Sequence, residues 1–249
     1  MNKQPLAASD DIGFSTLVNI SRASKLNTWM FSAIRPWLKG RILEIGSGIG
    51  NISSVVIRKE IPLCLSDYDD KYYHFLREKF SSTPYVKGIY RIDLVDKDFE
   101  TTQAHLLGAF DSIFALNVIE HIANDLLAVE NCCKLLAPGG RLVLLMPAYP
   151  ALYNDFDEGL GHFRRYTHQT MDKLLSQNFK VIKIRHFNLA GIFGWFFFGS
   201  ILRKKNLTGE QMGAFEKMVP LFRLADKIVG NKIGLSVIGV GEKKAPTHT

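Results

Sequence analysis

The sequence predicts an α/β fold, a mainly parallel sheet covered by helices, and two observations carry that prediction. Short β-rich runs alternate with longer helical patterns along the chain, and no internal repeat interrupts them. Apolar residues make up 47% and charged residues 22% of the 249 residues, enough to bury a sizeable core and too apolar for a disordered chain. One domain is expected over residues 1–249, with a helical cover at 1–39, a ligand-binding core at 40–147 and substrate-side insertions at 148–166 and 188–233.

Taken in order, Leu26 to Leu38 reads as a leading helix weakened at its end by Pro36. Strands are expected at Arg41 to Ile45, Leu63 to Ser66, Tyr85 to Ile92, Asp111 to Leu116, Arg141 to Met146, Val181 to Phe187 and Gly234 to Val240. Helices fall between them at Asn51 to Lys59, Asp69 to Phe80, Ala123 to Leu136 and Thr167 to Gln177, the last two stopped by Pro-Gly-Gly and Gln-Asn. Pro147 to Tyr166 and Asn188 to Lys232 exceed a minimal plan. Both begin at carboxyl ends of strands, where parallel α/β sheets bind ligands. The aromatic run from Leu189 to Leu202 reads as a buried helix rather than a membrane-interface segment, because its three glycines leave no polar face. Gln211 to Val229 reads as an amphipathic helix kinked at Pro220, with Met212, Phe215, Met218, Leu221, Phe222 and Leu224 facing inward, as core, lid or dimer face.

Composition narrows the function classes. The net charge of +7 is scattered along the chain and forms no basic stripe, so nucleic acid is not indicated. Cys64, Cys132 and Cys133 lack the spacing of a zinc or redox site and fit reduced thiols in the cytoplasm. Met1 to Ser15 has no continuous apolar core of a leader, and the 14-residue stretch Leu189 to Leu202 is shorter than the ~20 residues of a membrane span. A monomer or homodimer acting on a small molecule is expected.

The chemistry begins at Gly46-Ser-Gly-Ile-Gly50, between the first strand and the helix opened by Asn51 and preceded by Glu44. Such a turn lets the backbone approach a ligand at a helix N-terminus. A dinucleotide fingerprint would require Gly or Ala at position 51, where Asn51 stands. Asp67, followed by Tyr68, ends the second strand, where a carboxylate can accept ribose hydroxyls. Asp93-Leu94 ends the third, Asn117-Val-Ile-Glu-His121 follows the fourth, and Pro138-Gly-Gly precedes the fifth.

These five signals in one order resemble the class I S-adenosylmethionine-dependent methyltransferases. More narrowly, Asn117 to His121, Asp157 with Gly161-His-Phe-Arg-Arg-Tyr166, and Phe187-Asn188 look like a bacterial small-molecule branch. The resemblance implies a seven-stranded Rossmann-like sheet with an antiparallel last strand, and S-adenosylmethionine as cofactor, leaving as S-adenosylhomocysteine. It places Glu44, Gly46, Ser47, Gly48, Gly50, Asp67, Tyr68, Asp93, Leu94 and Asn117 around that cofactor. Asp67 would hold the ribose, Asp93 the adenine amine, the Leu94 N–H a ring nitrogen, and the Asn117 carbonyl the methionine amino group. Asp67 and Asp93 have a helix-capping alternative.

His121 and His162 are the candidate bases, since histidine titrates near neutrality. Each has a structural alternative: His121 packing at a helix start, and His162 in a cover where Asp157 pairs with Arg164 or Arg165. Some related enzymes carry a metal-binding E-x-x-E-H run where this chain has Asn117 in place of the first carboxylate, so no metal is expected. Trp29, Tyr149, Tyr153, His162, Arg165, Asn188 and Trp195 are the expected acceptor-site residues, aromatic walls with a few polar contacts. A nicotinamide-dependent oxidoreductase and a non-catalytic membrane-associated cofactor-binding protein are the rival readings.

Overall fold

The computed structural model describes residues 6–21, 23–196 and 209–244. The elements run α1 (Leu6–Ser21), α2 (Ser24–Ile34), β1 (Ile42–Ile45), α3 (Asn51–Ile57), β2 (Leu63–Asp67), α4 (Asp70–Phe80), β3 (Val86–Arg91), α5 (Phe99–Thr102), β4 (Phe110–Leu116), α6 (Asp125–Leu135), β5 (Leu136–Pro147), α7 (Asp155–Gly159), α8 (His168–Ser176), β6 (Phe179–Phe187), α9 (Leu189–Trp195), α10 (Gly209–Ile228) and β7 (Ser236–Lys243). The seven strands form one sheet in the order β3-β2-β1-β4-β5-β7-β6. Pairs from β3 through β5 are parallel, whereas β7 is antiparallel to both β5 and β6. The expected mixed sheet with an antiparallel last strand is the one observed.

The central strands are buried on both faces, as parallel strands under two helical layers must be. In β1, Leu43 and Ile45 point into the layer built by α6 and α8, while Ile42 points into the layer of α2, α3, α4 and α10. The strand order changes direction between β1 and β4, which run parallel, so the carboxyl ends of both lie on one edge, and the loops that leave this edge carry the candidate residues. Among the described residues no helix is long and apolar enough to cross a membrane.

Helix α1 lies within the helical cover expected at 1–39, ahead of the leading helix expected at Leu26 to Leu38. Three expectations change. Strand β5 starts at Leu136, so Pro138-Gly-Gly lies inside the strand, where its pairing with β4 shifts register between Phe110 and Ser112. The described part of the late apolar run is not buried as expected: Phe193 and Phe196 are 70 and 50% exposed, and residues 197–202 of the run lie outside the described residues. Finally, α10 turns Phe215, Val219 and Phe222 inward, so the expected inward residues Met218, Leu221 and Leu224 are exposed. Apolar residues lie on more than one side of this helix, and Asp226 orients it by hydrogen bonds to the backbone at the start of α9. The Met212 side chain lies outside the described residues.

Candidate active site

The glycine turn is shaped by its own backbone and by what lies behind it. Gly46 and Gly50 have φ of +66° and +78°; a Cβ at Gly46 would overlap Val118 and one at Gly50 the Phe80 ring. Asp67, 5% exposed, accepts from the Gly48 N–H at 2.8 Å and from the Asp69 N–H at 3.2 Å. Burial nonetheless raises its carboxyl above the ordinary range. The helix-capping alternative falls to its neighbour, because Asp69 is the N-cap of α4. Glu44 lies beneath the turn, where Ser53 donates to it at 2.5 Å, and burial pushes its carboxyl up to about 8. Tyr68 and Asp93 are exposed on the same edge; Asp93 accepts from the Val95 N–H at 2.9 Å, and Leu94 is buried behind it. Asn117 leaves β4 at φ +54°.

Helix α1 lies across this turn. The Asn51 Nδ2 donates to the Leu17 carbonyl at 2.9 Å, and the Leu17 side chain faces Gly48. At the other end Lys71 on α4 lies over the Phe14 ring, 4.5 Å from its centroid.

The second half of the site is a buried cluster beside the Ile119–His121 turn. The segment after β5 docks on that turn through the Phe163 N–H, which donates to the Glu120 carbonyl at 2.8 Å. Asp157, fully buried, accepts from Arg165 Nε at 2.9 Å, pairs with His162 Nδ1 at 2.8 Å and accepts from the Asn154 N–H at 3.0 Å. Burial alone would raise its carboxyl, but His162 and the Arg165 charge bring it below the ordinary range. His162 presents Nε2 to Glu120 Oε1 at 4.0 Å, and its ring stands edge-on to His121 with centroids 4.6 Å apart. Glu120 is 0% exposed with neither oxygen hydrogen-bonded within the described residues, and burial pushes its carboxyl up to about 7. His121 stands at the solvent edge; crowding of its ring and the adjacent His162 push its imidazole down, so it is neutral at pH 7.

Residues 43–142 match the family model described as a methyltransferase domain. The sequence is 29% identical over 104 residues to the ubiquinone biosynthesis O-methyltransferase of Caulobacter sp. (strain K31), covering 42% of this chain and 39% of that protein. It is 28% identical over 113 residues to the lovastatin diketide synthase of Aspergillus terreus, covering 43% of this chain and 4% of the synthase. The chain thus spans well under half the length of these relatives. The fold matches a SAM-dependent methyltransferase from Archaeoglobus fulgidus with TM-score 0.58, 16% identity and coverage of 88% and 94% of the two chains. It also matches the phosphoethanolamine N-methyltransferase 2 of Haemonchus contortus solved with S-adenosyl-L-methionine, with TM-score 0.60, 11% identity and coverage of 98% and 61%. Residues 43–142 are thus similar to a methyltransferase domain, and the described residues share their fold with S-adenosylmethionine-dependent methyltransferases.

The residues on this edge fit S-adenosylmethionine. A three-glycine turn at positive φ opens α3, and carboxylates stand at the ends of β2 and after β3. Of the expected acceptor-site residues, the structure links His162 with Tyr153, and Arg165 with Trp195, while Asp157 joins His162 to Arg165; of these His162 packs against His121. The Tyr153 hydroxyl donates to the His162 carbonyl at 2.7 Å, and the Arg165 guanidinium lies 4.7 Å over the Trp195 ring. Arg164 instead pairs with Asp125 at 2.8 Å. Tyr149 stacks on His186 at 5.1 Å. Asn188 caps α9 by accepting from the Gly191 N–H, and Trp29 is buried in the core against Phe187 at 4.4 Å. Glu120, which stands beside His121 after the fourth strand but is not among the expected site residues, joins the cluster. Among the described residues, Glu120, His121 and His162 are the group able to hold a metal ion, with one ligand atom from each all within 4.8 Å. His162 supplies a third donor from the insertion after β5, which the linear motif did not display.

Proposed function

We propose that the protein transfers a methyl group from S-adenosylmethionine to a small, partly apolar acceptor whose methylated atom gives up a proton, such as a hydroxyl or an amine. One observation carries this reading: the glycine turn and the Glu120–His121–His162 cluster stand on one edge, joined by Val118, which packs on Gly46 and precedes the cluster in the chain. The whole chain is read as one methyltransferase domain. Residues 1–39 cover it, 40–147 hold the cofactor, and 148–166 with 188–233 build the acceptor side. Its free thiols, Cys132 pushed up to about 12 by burial, fit a cytoplasmic setting.

When bound, S-adenosylmethionine supplies an electrophilic methyl on a sulfonium. The chain contributes position, worth roughly 7 to 11 kcal/mol at best through effective molarity. Asp67 holds the ribose while keeping the Gly48 N–H in place. Tyr149, Tyr153 and Trp195 wall the acceptor. His121, neutral and at the open edge of the cluster, takes the acceptor's proton. His162 is a positioning residue, fixed by Asp157 and facing Glu120, and Arg165 and Asn188 hold the segments on which the walls stand.

Calorimetry and a radiolabelled-methyl screen against fractionated metabolites test the reading. Binding of S-adenosylmethionine and its demethylated product, with no nicotinamide binding, is the expected result; tight nicotinamide binding alone would overturn it. His121→Ala should lower turnover about 10²- to 10⁴-fold with cofactor affinity unchanged. An unaffected pH profile and turnover in that variant would remove the base assignment.

A further inference from the structure

The described carboxylates of helix α10 are both engaged by backbone N–H groups of other elements. Glu216 turns toward α2 and accepts from the Lys25 and Leu26 N–H groups at 3.1 and 2.8 Å. Asp226, 2% exposed, accepts from the Asn188 and Leu189 N–H groups at 2.7 and 2.8 Å. With Phe215, Val219 and Phe222 also directed inward, the outer face is left to Met218, Leu221, Leu224 and Ile228, which are 44, 55, 53 and 77% exposed. Their spacing puts them on one stripe of the helix. Lys217, Arg223 and Lys227 are exposed on the same helix. Arg223 and Lys227 border the side toward α2, where with Lys25, Ser24 and Thr28 they line a groove of about 480 Å³.

We infer that this face docks the protein on an anionic lipid bilayer, the apolar stripe entering the interface while Lys25, Arg223 and Lys227 meet lipid phosphates. A helix lying in an interface has this composition, apolar on one side with basic side chains whose stems reach the headgroups. A second copy of the chain fits poorly. A two-fold contact through this face would set the basic group Lys217, Arg223 and Lys227 of one copy against the same group of the other, and the described carboxylates of α10, Glu216 and Asp226, are already engaged by backbone N–H groups. The inference does not depend on the reading of the active site, since the stripe and groove lie apart from the glycine turn.

Co-sedimentation of the full chain with phosphatidylcholine vesicles, with and without phosphatidylglycerol, tests it. Binding is expected only with phosphatidylglycerol and should weaken with salt. The triple variant K25A/R223A/K227A should lower binding by about two orders of magnitude, since each base near an anionic surface contributes roughly fivefold. L224E/I228E should abolish binding, with circular dichroism and S-adenosylmethionine affinity kept in both variants. Equal binding to both vesicle types, or binding insensitive to salt and to both variants, would overturn the inference. So would a chain that stays off vesicles and sediments as a dimer split by Ile228→Glu, which would assign the face to a second copy. A chain that stays off vesicles and remains a monomer also overturns it.

Discussion

At the scale of single residues, Asp157 is the side chain on which the acceptor segment depends. It satisfies His162, Arg165 and the backbone of Asn154 together, inside the protein. Asp157→Ala would leave the Arg165 guanidinium buried without its counter-charge, a change that typically costs about 3 to 5 kcal/mol. Denaturant unfolding should show that loss. Because the folded Asp157 carboxyl lies below its unfolded value, its contribution is complete above the ordinary carboxylate range and disappears as pH falls through the folded value. Glu44 has the opposite sign. Its carboxyl holds a proton up to about 8 when folded and loses it near 4.5 when unfolded, so its presence lowers stability progressively between those values. Glu44→Gln should therefore gain stability relative to the parent at pH 8.5 and little at pH 4, in urea titrations at the two values. Asp67→Ala should weaken S-adenosylmethionine binding roughly 10- to 150-fold, the worth of a charge-assisted hydrogen bond; unchanged affinity in calorimetry would remove the ribose assignment.

At the scale of elements, what the sequence displayed depended on whether a segment's neighbours were local. Strands β1 to β5 and helices α3, α4, α6 and α8 were legible because each turns one periodic face to the sheet and ends in its own stop signal. Even α2 and its weakening at Pro36 could be read, since the Arg35–Trp37 turn follows the helix directly. The site divided in the same way. The glycine turn, Asp67 and Asn117 sit at strand ends fixed by the alternation, whereas the pairing of His162 with Asp157 and Glu120 comes from a segment folded back onto a distant turn. Helix α1 was expected only as part of a helical cover, because no apolar period marks its bounds and the contacts that place it, such as Leu17 on Gly48 and its carbonyl to Asn51, are long-range. The orientation of α10 was misread because its apolar residues occupy more than one face and hydrogen bonds made by Glu216 and Asp226 decide between them. Since α1 lies over the turn, Leu17→Asp should alter S-adenosylmethionine affinity while leaving the melting temperature of the unliganded protein nearly unchanged. A large fall in melting temperature would mean instead that α1 is part of the core.

At the scale of the whole molecule, the sheet couples the two halves of the site through one rigid edge. Ligand binding to the glycine turn should therefore stabilise the entire fold. Saturation at a hundred times the dissociation constant contributes about 2.7 kcal/mol, which for a chain of this size raises the melting temperature by roughly 5 to 11 °C. Differential scanning calorimetry with and without S-adenosylmethionine measures it.

The position of β7 has a consequence for how the protein is made. This strand pairs with β5 on one side and β6 on the other, yet it is the last of the seven to leave the ribosome. Until it emerges, β6 has no strand to join and β5 presents an open edge of backbone donors and acceptors, the arrangement that invites pairing with other chains. The order of synthesis thus runs ahead of the order of assembly, and the nascent chain must carry an unfinished sheet past the whole α9–α10 insertion before Ser236 can close it. A chain stopped at Gly234 should accumulate in the insoluble fraction, and a separately supplied segment 235–244 should compete for the gap between β5 and β6.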